Sequence, residues 1–259
     1  MSNTLTLESI LKHDRTIVLA GLAGIVMLSW AYVVYLAWQM EGMDPGIALP
    51  QIQSWNVTDF LFMFLMWAVM MVAMLVPSAA PIVLMFATVN RRRQARSAPY
   101  VPTAVFALGY VAVWAVFSLA ATLTQWGLNE AALLSSAMRS TTPVLGGLLL
   151  VVAGVFQWTP LKEACLVHCR SPLGFIMTHW RERRRGAFLM GLHHGTYCVG
   201  CCWALMLLLF VNAVMNLLWV GAIAAFVLME KVVPAKGRLS QVTGALLVAW
   251  GLFVLAAGL

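Results

Sequence analysis

The chain has 259 residues, of which 62% are hydrophobic and only 10% charged. A soluble domain is nearer half apolar and a quarter charged, so too few polar residues exist here to cover a water-facing surface. The net charge of +7 sits in connecting segments, where basic residues set topology and touch anionic lipid; it argues for a bilayer as partner and against nucleic acid.

Residues 1–16 are polar and mixed, with Glu8, Lys12, Asp14 and Arg15. The apolar run after them is too long for the core of a cleavable signal. A helical span needs about 20 apolar residues to cross roughly 30 Å of hydrocarbon. Such runs lie at 17–38, 59–86, 103–125, 141–160, 187–211, 214–231 and 239–258. The expectation is an all-α polytopic transmembrane helix bundle of about seven spans, one domain over 1–259. The fifth and sixth runs are parted only around Asn212 and Asn216, but a single helix from 187 to 231 would far exceed a bilayer.

Loop charge orients the chain. With the N-terminus cytoplasmic, the inner segments hold Lys12, Arg15, Arg91, Arg92, Arg93, Arg96, Lys162, Arg170, Arg181, Arg183, Arg184, Arg185, Lys231, Lys236 and Arg238, and only Arg139 of the 16 basic residues falls outside. The first outer loop is acidic, with Glu41, Asp44 and Asp59. The C-terminus is then outside, and the bacterial inner (cytoplasmic) membrane is the expected location. In the inner segment 161–186, Leu173, Phe175, Ile176 and Trp180 precede a basic run, which reads as an interfacial amphipathic stretch. Pro77 and Pro81 are expected to break the second span near its inner end, a gap tolerated where neighbours or a cavity satisfy the backbone.

All five cysteines and four of the five histidines lie between 165 and 202. Cys165, His168 and Cys169 follow i, i+3, i+4, which places them on one face of a helix. Lys162 and Arg170 beside them favour the thiolate, the form that binds metal. His193, His194, Cys198, Cys201 and Cys202 lie inside the fifth span. His194, Cys198 and Cys201 or Cys202 again share a face, with His193 about 10 Å and Cys198 about 16 Å deep at 1.5 Å per residue. Ionisable residues inside a span mark function by default, and Gly195 and Gly200 leave room for another helix or a ligand. The plainer reading makes these residues small packing groups and backbone-bonded imidazoles.

Cysteine with histidine suits Zn²⁺, while thiolate-rich sites suit Cu(I). The second span adds Met63, Met66, Met70, Met71 and Met74, with Met66, Met70 and Met74 on one face. Thioethers prefer Cu(I), so Met63, Met66, Met70 and Met74 outline a metal route from the outer half towards Cys198. Methionine as flexible core filler is the competing explanation. Met215 and Asn216 could join the route or cap a turn. Glu230 and Lys231 end the sixth span, either snorkelling to the cytoplasmic face or, in the case of Glu230, reaching the metal group. The thiols face a reducing compartment, so structural disulfides are not expected.

These strings together resemble a known family. Gln157-Trp-Thr159-Pro160 through Cys165, Cys169-Arg170-Ser171-Pro172, His193-His194-Gly195 through Cys198, Gly200, Cys201, Cys202 and Trp203, Met215-Asn216, Glu230-Lys231 with Pro234, and Met66-Trp67 to Pro77 and Pro81 are similar to a bacterial family of uncharacterised predicted metal-binding integral membrane proteins. The likeness runs over about 60–258. It implies metal binding by Cys and His and no particular reaction.

The leading expectation is a membrane protein that handles copper, or less readily zinc, as a transporter or as a delivery or accessory subunit of a membrane metalloenzyme or larger complex, and not itself an enzyme. One alternative is a thiol–disulfide or quinone oxidoreductase using Cys198 and Cys201, which would tolerate loss of His193 and His194. Another is a structural subunit in which a closed metal site staples the fourth and fifth helices. A haem protein is weaker, since adjacent histidines cannot ligate one haem from opposite faces.

Overall fold

A computed structural model describes residues 2–41, 55–94, 101–134, 140, 142–212, 214, 216–233 and 238–258, with side chains of the first helix described over 16–39. Asp44, Arg96, Arg139, Met215, Pro234 and Lys236 lie outside the described residues, as do the side chains of Glu8, Lys12, Asp14, Arg15 and Glu41.

The described residues form helices α1 (Ser2–Glu41), α2 (Val57–Gln94), α3 (Thr103–Glu130), α4 (Pro143–Phe156), α5 (Pro160–Arg170), α6 (Pro172–His179), α7 (Arg183–Met206), α8 (Leu217–Val232) and α9 (Arg238–Ala257), with a 3₁₀ turn over Leu207–Phe210 extending α7. The architecture is an all-α bundle. Five segments are long and apolar enough to cross a membrane, or six when α4 and α5, bent by 64°, count as one. The expectation of about seven exceeds this because of α8. Its 16 residues rise about 24 Å, short of the roughly 30 Å of hydrocarbon.

Capping explains where the helices restart. Thr142 and Thr159 accept the backbone N–H of Leu145 and Lys162, and each is followed by proline in the first turn, the favoured order at a helix start. Thr159-Pro160 thus begins a new helix at the bend instead of prolonging α4. Asn216 accepts Trp219 N–H at 3.1 Å and starts α8.

The expected break in α2 is absent. Pro77 and Pro81 sit inside a continuous helix of 38 residues. Pro77 has no N–H to offer the carbonyl of Ala73, four residues back; the Trp30 indole donates to that oxygen instead, at 3.1 Å. A neighbouring helix therefore satisfies the gap.

The segment read as an interfacial stretch divides its apolar residues between the two sides of α6. Phe175 and Ile176 of α6 are buried in the protein core, while Leu173 and Met177 are exposed. Trp180 stacks on Phe86 of α2 with centroids 5.5 Å apart, and the Arg93 guanidinium lies 5.0 Å from the Trp180 ring. Phe175, Ile176 and Trp180 key α6 into the bundle, and Leu173 and Met177 stay on its outer side.

Close approach of α3 to α7 sets the interior. A Cβ on Gly191 would stand 2.0 Å from the Phe106 carbonyl oxygen, and one on Gly109 would stand 2.2 Å from that of Phe188. Small residues at a helix crossing allow this backbone contact in a membrane. Helix α5 packs against α7, and α2 against α3 and α8, so α2, α3, α5 and α8 enclose the cysteine-bearing part of α7.

Candidate metal centre

Cys165 and Cys169, one turn apart on α5, turn towards α7. The Cys169 sulfur lies 4.0 Å from that of Cys201. Half-buried Cys165 occupies the space left by Gly200, where a Cβ would come within 2.6 Å of its sulfur. Cys198, Cys201 and Cys202 are buried on α7, and the Cys201 and Cys202 thiols donate to the Cys198 carbonyl at 3.1 and 3.0 Å. All five are free thiols. The two cysteine groups, separate in sequence, thus meet across the α5–α7 interface.

Cys198 is the most elaborately contacted of them. Its sulfur is 3.1 Å from the Tyr110 hydroxyl on α3. The Lys231 ammonium on α8 donates to it at 2.9 Å and to Ser78 Oγ on α2 at 2.8 Å. Glu230 and Lys231 do not snorkel to the surface, because both side chains are buried. The Glu230 carboxylate pairs with the buried Lys162 ammonium at 2.6 Å and accepts from Ser240 at 2.7 Å, while Lys162 also donates to Gln157. The lysine, not the carboxylate, reaches the thiols. Removing a charge from water costs several kcal/mol unless partners offset it, and the Lys162–Glu230 pair does so beside the cluster.

The histidines take up places outside the cysteine contact between α5 and α7. His194 is buried against Phe175 and Tyr110, with centroids 5.2 and 5.9 Å away. His168 leaves the α5–α7 interface and stacks on Tyr197 at 4.1 Å. His193, exposed, sits 5.1 Å from the same ring. The i, i+3, i+4 spacing on α5 therefore holds Cys165 and Cys169 together and puts His168 on the flank.

Among the described residues, no three His, Cys, Asp or Glu side chains form a ready-made ion pocket. The donor chemistry nevertheless fits a soft ion. With metal–sulfur bonds of about 2.3 Å, the 4.0 Å gap between Cys169 and Cys201 subtends about 120° at an ion between them.

Met66, Met70 and Met74 are buried along α2, and half-buried Met63 accepts from Gln125 at 3.7 Å. Ser78 is the next residue in the same four-residue series, and it is the residue that shares Lys231 with Cys198. The methionine stripe therefore leads to the thiol cluster. Tyr110, Ser78 and Lys231 were not candidates from the sequence. A lysine ending an apolar run has the same pattern whether it snorkels or turns inward.

Residues 64–254 match the family model described as PpoB2, a copper chaperone. The match spans well over half of the chain and ties it to copper in an accessory role. No curated protein and no solved structure matches.

Proposed function

We propose, because the chain belongs to the PpoB2 copper chaperone family, that it carries Cu(I) as cargo on its buried thiols and delivers it to a copper enzyme at the membrane. The observation carrying this reading is the meeting of Cys169 of α5 with Cys201 of α7, with Cys165, Cys198 and Cys202 buried or half-buried around them. Thiolates select Cu(I) over harder ions, and Zn²⁺ is the weaker choice. Buried Met66, Met70 and Met74 supply the soft relay on the outer side, ending one turn from Ser78, which shares the Lys231 ammonium with Cys198.

Charge supports the same reading. Two thiolates around Cu(I) carry a net charge of −1, and three carry −2, in a medium where an unpaired charge is costly. Lys231 stands against Cys198 and offsets part of it. The basic inner segments support a cytoplasmic N-terminus, with the thiols towards that side of a bacterial inner membrane. His194 lines the cluster's wall; His168 and His193 belong to its flank.

Protein purified without oxygen in mild detergent tests this by mass spectrometry of bound metal, beside a Cys198→Ser/Cys201→Ser variant. The expected result is one tightly held copper per chain, lost in the variant. Absence of metal from both, with a titratable thiol pair in the parent, would move the assignment to dithiol redox chemistry.

A further inference from the structure

The flank of the α5–α7 interface carries a second group of donors that the thiol cluster does not use. His179, at the end of α6, has its ring centroid 4.8 Å from that of His193 and 6.4 Å from that of His168. All three are at least partly exposed. An open cavity of about 280 Å³ lies beside them, lined by His179, Arg181, His193 and Thr196 among others.

For His168 a backbone carbonyl decides which nitrogen is free, and His179 has a carbonyl within reach of the same atom. His168 Nδ1 donates to the Ala164 carbonyl at 2.8 Å. His179 Nδ1 lies 3.2 Å from the Phe175 carbonyl and 2.8 Å from Thr178 Oγ1. A proton on Nδ1 held by a backbone carbonyl leaves the Nε2 lone pair for a ligand, the arrangement common in metal-binding histidines. A metal–nitrogen bond of about 2.0 Å puts a ring centroid about 3.2 Å from the ion. Two ligating rings can then stand up to about 6.4 Å apart, and both separations fall within that limit.

We propose that His168, His179 and His193 form a second, outward-facing metal station that receives or releases the copper held by the thiols; this rests on the copper-carrying reading above. The rings stand edge to face, His179 at 77° to His193 and at 70° to His168, and close on an ion by rotating about their own χ angles, which exposure permits. Tyr197 forms the floor, stacked under His168. The station adjoins the thiols on both helices, since His168 precedes Cys169 and Tyr197 precedes Cys198. Neighbours on a helix point about 100° apart, so one set faces inward and the other outward. Arg181 at the same opening weakens cation binding there, which suits a transient stop. Copper remains Cu(I) throughout. Passage inward is ligand exchange, in which each thiol that binds releases its proton to solvent and the imidazoles leave neutral.

The test is anaerobic Cu(I) titration against a chromophoric chelator, with the full chain in detergent. Wild type is expected to bind two ions of different affinity. His179→Gln, and His168→Gln with His193→Gln, should remove the weaker ion and keep the tighter one. Cys198→Ser/Cys201→Ser should do the reverse. Unchanged binding in the histidine variants would overturn the second station while leaving the thiol site standing. Loss of both ions in His179→Gln, with unchanged helicity by circular dichroism, would overturn it in favour of one mixed site. Retention of only the weaker ion in wild type would overturn the thiol reading and leave the station.

Discussion

Lys231 donates to Cys198 from inside the bundle, and the account gives it the role of positioning charge beside the cargo. Lys231→Met keeps the side chain's length and removes the ammonium. Loss of a group that supports a metal ligand typically costs 10–100-fold in affinity, so Cu(I) binding by competition should weaken by about that factor. Unchanged affinity would deny Lys231 the role. Glu230 has a different task. Glu230→Gln leaves the Lys162 ammonium without its carboxylate, and breaking one side of a buried pair costs about 3–5 kcal/mol. The thermal midpoint in detergent should fall sharply while the copper stoichiometry of the folded fraction holds. The sequence showed the cysteines as a metal-type set because thiols and imidazoles are rare inside spans. It did not show Lys231 or His179 as members of a site, because a charge at a helix end and a histidine in a polar loop are ordinary at those positions. Only the inward turn of α8 and the docking of α6 distinguish them.

At the scale of helices, the contact between α3 and α7 holds the site's walls in place. Tyr110 comes from α3, one residue after Gly109, and Cys198 from α7. Gly191→Ala would drive a methyl into the Phe106 carbonyl at 2.0 Å, and backbone cannot yield as a side chain can. Overpacking of this kind costs about 1–3 kcal/mol, and here the shift would also separate Tyr110 from Cys198. Gly21→Ala in α1 meets nothing within 4 Å and should be neutral or slightly stabilising, by up to about 1 kcal/mol from helix propensity. Parallel melts of the two variants check the contrast; equal effects would deny the helix contact its importance. Apolar runs predicted the positions of the long helices well, since bilayer thickness dictates length. The bend after α4, the unbroken α2 and the shortness of α8 were less visible. Each depends on a partner elsewhere, such as the Trp30 indole that serves the carbonyl freed by Pro77.

Across the whole molecule, the basic residues and the thiols fall on the same side when the N-terminus is cytoplasmic. A green fluorescent protein fusion at the end of α2, after Gln94, should then be fluorescent and an alkaline phosphatase fusion there inactive; the opposite pattern would invert the proposed route, sending copper from the methionines outward. In the orientation argued here, the methionine stripe of α2, the Ser78–Lys231 link, the thiols of α5 and α7 and the imidazoles on the flank form one sequence of donors across the bundle. Copper K-edge X-ray absorption on wild-type protein loaded anaerobically with one equivalent of Cu(I) tests the thiol centre most directly. The account predicts a first shell of sulfur alone, two or three atoms at about 2.3 Å. A first shell dominated by nitrogen or oxygen would contradict it.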